Sequence, residues 1–259
     1  MTFALLGVLT VLGISAATLC LLEGGRRLGL RRVEIDPECA KAGSGAMEGA
    51  VFGLMALLIA FTFSGAGSRF DARRAIAVEE ANCIGTAWLR LDLLPPSAQP
   101  PLREKFRQYV GARLAFVRLL PDIAAARSEL ARAGILQTEI WAQAIAVCRE
   151  SGSSPATMLL LPALNQMFDI ATTRTAGMQM HPPLVIYLML GLLVLAGAML
   201  AGYGMGTGKV HHWFHAAAFV LVLVLAIYVI LDFEFPRVGL IRINDIDQVL
   251  MDVRDSMKP

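Results

Sequence analysis

The stretch FTFSGAGSRFDARRAIAVEEAN, residues 61–82, decides the fold. It joins an apolar segment to the charged run RFDARR, residues 69–74, with no proline and no hydrophilic loop between them. Because nothing that breaks a helix occurs from Ala46 to about Leu94, the pattern predicts one continuous helix. At about 1.5 Å per residue this helix would be roughly 70 Å long, about twice the hydrocarbon core of a bilayer. We therefore predict a strut that leaves the membrane and continues into water.

The composition is that of a membrane protein that also has a more polar part. The chain has 259 residues, of which 56% are hydrophobic and 17% charged, and its mean hydropathy is +0.60. Soluble domains average about 25% charged residues. The net charge of +2 is too small to indicate a nucleic-acid partner. The four cysteines lie far apart without a CxxC pair, so they predict neither a disulfide framework nor a zinc site, and no cofactor is expected.

Four stretches are long and apolar enough to cross a bilayer, which takes about 20 residues. They are Phe3–Leu22, Ala46–Gly65, Leu184–Tyr203 and Trp213–Asp232. The first stretch lacks the basic region that begins a signal peptide, so we interpret it as a membrane span. The sequence therefore predicts a multi-pass membrane protein.

Between the second and third spans the sequence has the pattern of amphipathic helices. Apolar residues recur at helical spacing in LREKFRQYVGARLAFVRLL (residues 102–120) and LQTEIWAQAIAVC (residues 136–148). No alternating run predicts a strand, and prolines predict helix breaks near residues 95–101, 121 and 155. We therefore predict an all-α, four-span integral membrane protein with a helical extramembrane domain. Its expected parts are the first two transmembrane helices (1–66), the helical domain (67–182), the last two transmembrane helices (183–233) and a C-terminal tail that packs on the helical domain (234–259).

The second span has a seam of small residues on one helical face: Gly49, Gly53, Ala56, Ala60 and Ser64. Small residues let membrane helices approach closely. One interpretation places this seam inside a single four-helix bundle, with the bulky residues of the span facing lipid. The other places the span beside its own copies around an axis, with bulky residues facing a narrow conduit. Spacing alone does not choose between the two.

The passage GLMALLIAFTFSGAGSRFDARRAIAVEEANCIGTA, residues 53–87, resembles the pore helix of bacterial bestrophins. There too a phenylalanine ends the pore helix eight residues before an arginine that begins an aromatic-acidic-arginine motif. Phe61 and Arg69 have this spacing here. The whole chain resembles more closely a bacterial family of unknown function that is labelled bestrophin-like. That resemblance rests on RFDARR, EEAN, IGTAWLRLDLLP, ALNQMFDIATTRT and LDFEFPRVGLIRI.

The resemblance implies a homo-oligomer, a pentamer, in which the second span lines a central pore for small ions. It places Phe61, Leu57 and Gly53 at a hydrophobic neck, although Gly53 departs from a bulky neck. Glu48, a carboxylate at the edge of the membrane, is expected at the pore mouth. A rival interpretation makes Glu48 a charge that stabilises the start of the helix. The charges expected in a vestibule along the strut are Arg69, Asp71, Arg73, Glu79 and Glu80. These have mixed sign, so they do not choose between anions and cations, and ordinary ion pairing is their simpler interpretation.

Other chemistry has little support in the sequence. Calcium-dependent bestrophins have a run of consecutive acidic residues after the last span, whereas LDFEFPR offers only Asp232 and Glu234, so calcium gating is not implied. The histidines of HHWFH, residues 211–215, lie beside a tryptophan at a predicted membrane edge, and we interpret them as interfacial rather than metal-binding. No local constellation predicts an enzyme.

Two features of the chain favour opposite orientations in the membrane. The segment EGGRRLGLRR, residues 23–32, has four arginines, and we interpret it as a loop that the positive-inside rule places in the cytoplasm, with the helical domain outside. The resemblance implies the opposite orientation, with the helical domain on the cytoplasmic side of a bacterial inner membrane. Basic residues in the C-terminal tail favour this arrangement, which we adopt.

The alternative function is a membrane signalling or scaffold protein whose helical domain binds a partner.

Overall fold

A computed structural model describes residues 2–36, 44–120, 122–152, 154–207, 213–236 and 244–257. Helices account for nearly all of these residues, and no strand occurs among them, which confirms the predicted all-α class. The helices are α1 (Thr2–Ile35), α2 (Ser44–Arg90), α3 (Gln99–Leu119), α4 (Ile123–Ser151), α5 (Ser154–Gln179), α6 (Leu184–Thr207), α7 (Trp213–Glu234) and α8 (Asn244–Ser256).

The helix α2 is 47 residues long and has no break, which confirms the long second-span helix predicted from the absence of proline. It ends in a 3₁₀ turn at Leu91–Leu93. The helix α3 then starts with Pro100 and Pro101 in its first turn, where the missing N–H groups have no intrahelical partner to lose.

The helix α4 has a defined signal at each end. The carboxylate of Asp122 accepts hydrogen bonds from the N–H groups of Ala124 and Ala125, both at 3.1 Å, and so caps the start of the helix. Gly152 follows its last residue with φ of 61°, a left-handed conformation that glycine adopts without steric cost. Residues next to α4 in the sequence therefore determine where this helix begins and ends.

The arginine-rich segment that we interpreted as a loop is helical, because α1 continues to Ile35. Within it the carboxylate of Glu23 accepts from Arg26 at 2.7 Å and from Arg27 at 2.9 Å. Pairs at these spacings lie on one side of a helix and stabilise it by a few tenths of a kcal/mol each. The arginines thus extend the first span as a helix instead of ending it.

Four helical segments among the described residues are long and apolar enough to cross a membrane: Leu9–Ile35, Gly45–Leu93, Pro155–Thr207 and Trp213–Glu234. The four spans predicted from the sequence fall within these segments or overlap them. Together with the helices between the second and third segments, they confirm a four-span integral membrane protein that has a helical extramembrane domain.

The chain divides into two compact units. The first unit contains Met1–Phe70 and His181–Leu240, and the second contains Asp71–Met180 and Ile241–Pro259. In the first unit, apolar side chains of α2, α6 and α7 form a buried cluster that includes Met55, Leu190, Val194, Leu223, Ile227 and Ile230.

The closest helix contact in the first unit is made by glycines of α1 and α6. A methyl group placed on Gly25 would overlap the carbonyl oxygen of Met199, and one placed on Gly202 would overlap the carbonyl oxygen of Leu22. Gly29 and Gly206 make similar contacts one turn further along each helix. Glycines four residues apart on both helices let the two backbones touch, which is how membrane helices gain packing energy without a hydrophobic driving force.

We expect Gly202→Ala to destabilise the protein by about 1–3 kcal/mol, because the added methyl forces α1 and α6 apart. The matched control is Gly191→Ala on the same helix, where an added methyl meets no atom within 4 Å. In a helix interior alanine is otherwise favoured over glycine, so the control is expected to be neutral or stabilising. The midpoint of thermal unfolding in detergent measures both variants. Equal midpoints would contradict the described contact.

The second unit has a larger core. Fully buried side chains from α3, α4, α5 and α8 meet there, among them Phe106, Tyr109, Ile140, Leu160, Leu164, Met167 and Leu250. The C-terminal helix α8 contributes Leu250 to this core, and the carboxylate of its Asp247 accepts from Arg174 of α5 at 3.0 Å. Aromatic rings of Tyr109 and Trp141 pack edge-on against Phe168.

Candidate functional site

The helix α2 has a broad exposed face in the first unit. Phe61 is 67% exposed and Leu57 51% exposed, and Gly53 lies on the same side one turn before Leu57. The five small residues of the seam, Gly49, Gly53, Ala56, Ala60 and Ser64, are exposed as well. The interpretation that buried this seam inside one four-helix bundle is therefore wrong, because α1 and α6 supply the close small-residue contact there instead.

The two parts of this face lie side by side. At 100° per residue, Leu57 and Phe61 occupy one edge of the exposed arc, and the small residues occupy the other. The opposite side of α2 is covered by its own unit, since Met55 and Ala66 are buried there. A second helix could approach the small edge closely while the bulky edge stays uncovered.

Glu48 does not lie on this face. Its side chain is half-buried and turned toward α6, where a methyl group placed on Gly204 would be 3.3 Å from its Oε2 atom. Its Oε1 atom is buried and has no hydrogen-bond partner among the described residues. Glu48 is therefore not part of the exposed face of α2 that is predicted to line the pore.

Arg69, the first charged residue after the apolar part of α2, forms an ion pair within the first unit. Its Nε donates to Oε1 of Glu234 at 2.6 Å, and the side chain of Glu234 is fully buried. The Nδ1 atom of His181 lies 3.4 Å from Oε2 of the same carboxylate, and the imidazole stacks on Phe235 with 4.8 Å between ring centroids. This ion pair ties α2 to α7, so Arg69 has a structural partner.

Arg73 and Asp71 lie in the second unit. The guanidinium of Arg73 donates to the carbonyl oxygen of Met180 at 2.9 Å and to that of Gly177 at 3.4 Å. Asp71 is exposed, with Arg74 at 3.6 Å on the same helix. Arg73 therefore holds the end of α5, whereas Asp71 remains at the surface.

Glu80 was predicted in a vestibule, and the structure corrects this prediction. Its side chain is fully buried, with Oε1 2.6 Å from Nε of Arg113 and Oε2 2.5 Å from Nη1 of Arg174. Arg174 in turn donates to Asp247 at 3.0 Å, and Arg113 donates to the hydroxyl of Thr175 at 3.3 Å. Two cations and two anions thus form a network that joins α2, α3, α5 and α8.

The network favours the charged forms of Glu80 and Arg113. Burial alone would raise the pKa of Glu80, but the charges of Arg113 and Arg174 outweigh it and hold that pKa below its usual value. Burial alone would lower the pKa of Arg113, and the charge of Glu80 raises it instead. Glu80 and Arg113 therefore stay ionised at neutral pH, and a buried carboxylate of this kind has no access to solvent ions.

Glu79 is the remaining predicted vestibule residue. It is exposed, and with Asn82, Cys83 and Thr86 of α2 and Gln166 of α5 it lines a cavity of about 80 Å³. The thiol of Cys83 lies 3.7 Å from Oε1 of Glu79. No Lys, Arg or His forms an ion pair with this carboxylate in the described part of the chain.

Several residues at these contacts were missed by the sequence predictions. Glu234, Arg113, Arg174 and His181 are separated from their partners by between 33 and 165 positions, so no local pattern marks them. Of the predicted histidine group, His215 is exposed, whereas residues 211 and 212 lie outside the described residues. Among the described residues, no three His, Cys, Asp or Glu side chains come close enough to hold a metal ion.

Comparisons with known proteins point to one family. The family model described as "Bestrophin-like domain" matches residues 41–246. No curated protein matches the chain. Solved structures with the same fold include two structures of a bacterial bestrophin homologue from Klebsiella pneumoniae, each with a single mutation. One is 16% identical with a TM-score of 0.72, covering 95% of this chain and 98% of that chain, and the other is 15% identical with a TM-score of 0.69, covering 94% and 99%. A third is a membrane protein that is 16% identical, with a TM-score of 0.65 and coverages of 93% and 98%.

Proposed function

The chain belongs to the bestrophin-like domain family, and from this membership we propose that it is an ion channel formed by several copies of the chain around α2. The neck of the conduction path would be the bulky edge of the exposed face, Leu57 and Phe61, with Gly53 one turn beyond. In the first unit this face combines exposed small residues with exposed bulky ones, and that observation carries the proposal.

The small edge of α2 suits contact with a neighbouring copy. Van der Waals packing and close backbone approach drive helix association in lipid, and Gly, Ala and Ser permit both. If each α2 packs through Gly49, Ala56 and Ala60, its bulky edge turns toward the symmetry axis. Copies arranged in this way form rings of Leu57 and Phe61 side chains, and a pentamer is the assembly that the bestrophin resemblance implies.

A ring of apolar side chains can act as the gate of a channel. Water leaves a narrow apolar constriction readily, and ions cannot pass where there is no water, so such a constriction closes the conduction path by dewetting. Rearranging the ring slightly, or removing its bulk, rewets the path. In this proposal α2 provides the neck, and the remaining spans face lipid with exposed residues such as Leu192 and Leu221.

The experiment that tests the function is planar-bilayer recording of the purified protein, with native mass spectrometry in detergent to count its subunits. We expect discrete currents across a salt gradient and a single oligomeric species. A preparation that is monomeric and carries no current under any ion gradient or pH would overturn the proposal.

We also propose that the protein resides in a bacterial inner membrane with its helical domain in the cytoplasm. This arrangement follows the family resemblance, whereas the arginines of α1 favour the reverse. A single cysteine is introduced in the second unit at the exposed position Glu150. The side of the membrane from which an impermeant reagent labels this cysteine decides the orientation.

A further inference from the structure

A groove lies on the first unit where the arginine-rich end of α1 packs beside α6. Its volume is about 300 Å³, at the lower end of the range for ligand sites. It is lined by Leu21, Gly24, Arg27, Leu28 and Arg31 of α1 and by Met199 of α6. Positions 21, 24, 28 and 31 recur at helical spacing, so they lie on one face of α1. The groove therefore combines an apolar wall with two guanidinium groups.

This end of α1 carries positive charge. Four arginines and two glutamates lie between Glu23 and Ile35, which gives a net charge of +2. The carboxylate of Glu23 is shared between Arg26 at 2.7 Å and Arg27 at 2.9 Å. Arg31 is exposed and forms no ion pair with an Asp or Glu of the described residues. The groove thus has positive charge that the described carboxylates do not compensate.

The groove lies at the level of lipid headgroups. The apolar stretch Phe3–Leu22 ends beside it, and Arg27 and Arg31 follow Leu22 by about 8 and 14 Å along the helix axis. The headgroup layer extends roughly 5–8 Å beyond the hydrocarbon core. Long side chains of a helix lean toward its N-terminus, which is here toward the apolar stretch. The two guanidinium groups therefore reach back to the headgroups of whichever leaflet this end of α1 faces.

We propose that this groove binds a phospholipid with a negatively charged headgroup. Guanidinium groups pair with phosphate through two parallel hydrogen bonds, and basic pockets between membrane helices bind anionic headgroups. An acyl chain would lie against the apolar wall of Leu21, Leu28 and Met199. Gly24 leaves room for the chain, because a methyl group placed there meets no atom within 4 Å. Free phosphate would leave this wall uncovered, so the groove suits a lipid better than the free ion.

Thermal unfolding in detergent tests the site, with phosphatidylglycerol or zwitterionic phosphatidylcholine added at the same molar ratio. A ligand that binds the folded protein raises the midpoint of unfolding. We expect phosphatidylglycerol to raise the midpoint of wild type by about 5 °C more than phosphatidylcholine does. Inorganic phosphate at the same concentration is expected to leave the midpoint unchanged. Because no current is measured, the result is independent of the proposed function.

Three variants locate the binding to the groove. The double variant Arg27→Gln/Arg31→Gln removes both guanidinium groups, and Gly24→Leu fills the groove while keeping every charge. Each is expected to lose the difference between the two lipids. Arg32→Gln is the matched control, since Arg32 is exposed next to Arg31 but does not line the groove. It is expected to keep the difference.

Four results would overturn the site. Equal midpoints with the two lipids in wild type would show that the headgroup charge is not recognised. A lipid difference that survives in Gly24→Leu, or is lost equally in Arg32→Gln, would show general attraction of anionic lipid to the arginines without a groove. A shift that inorganic phosphate reproduces would assign the charges to a free anion. If the double variant does not fold, wild type and Gly24→Leu decide the outcome by themselves.

Discussion

Phe61→Ala is expected to raise the current carried by the purified protein by about tenfold or more, through a higher open probability, a larger unit conductance or both. Phe61 is 67% exposed on α2, so within its own unit the ring has little to pack against. In the proposed assembly it closes the neck by excluding water. Alanine removes the ring and leaves the helix intact, because alanine is the best helix former.

The control for this prediction is Leu221→Ala on α7, which is also 67% exposed and apolar. If Leu221 faces lipid, its truncation leaves the current unchanged. Planar-bilayer recording at one protein concentration and one salt gradient compares the three proteins. A Phe61→Ala current that matches wild type in conductance and open probability would show that the neck lies at another residue.

Glu80→Gln is expected to destabilise the protein by about 3–5 kcal/mol, because it leaves the buried guanidinium groups of Arg113 and Arg174 with one anion instead of two. For a chain of this size the loss lowers the midpoint of thermal unfolding by roughly 10 °C. The control is Glu104→Gln, which removes an exposed pair with Arg107 and is expected to cost less than about 1 kcal/mol. Equal midpoints for Glu80→Gln and Glu104→Gln would contradict the buried network.

The same network predicts a pH dependence. The pKa of Glu80 in the folded protein lies below its value in the unfolded chain, because Arg113 and Arg174 favour the carboxylate. The stability that Glu80 contributes is therefore complete above the unfolded pKa of about 4.3. It decreases as the pH falls below that value and is lost below the folded pKa. The difference in unfolding midpoint between wild type and Glu80→Gln is thus expected to be constant from pH 7 to pH 5 and to shrink only at lower pH.

Local patterns in the sequence were sufficient for the main features of the fold. The absence of proline from residue 46 to residue 94 predicted the continuous α2, since helix breaking is a property of single residues. Apolar stretches of about 20 residues predicted the spans, because a helix of that length crosses the hydrocarbon core of a bilayer. The segment 23–32 was interpreted wrongly because its arginines suggested a loop, whereas ion pairs with Glu23 let the helix continue.

Long-range contacts could not be predicted in this way. Glu79 and Glu80 are adjacent and chemically identical, yet one is exposed and the other is fully buried. What separates them is the position of Arg113 and Arg174, 33 and 94 residues further along the chain. The glycine contact between α1 and α6 had a visible signal, a pair of glycines four residues apart in each of these helices, beyond or at the end of the predicted spans.

The central claim is that the exposed face of α2 lines a path for water and ions, and thiol accessibility during conduction tests it most directly. The four cysteines are first replaced by serine, and Leu57→Cys and Met55→Cys are then recorded in nitrate salts while silver ions, which travel in water and bind thiolates, are added. Leu57 lies on the exposed face, and Met55 is buried against α6 and α7. We expect silver to block the Leu57→Cys current within seconds to minutes and to leave the Met55→Cys current unchanged. If the exposed face of α2 lies against lipid, silver will leave both currents unchanged, and that result would contradict the account.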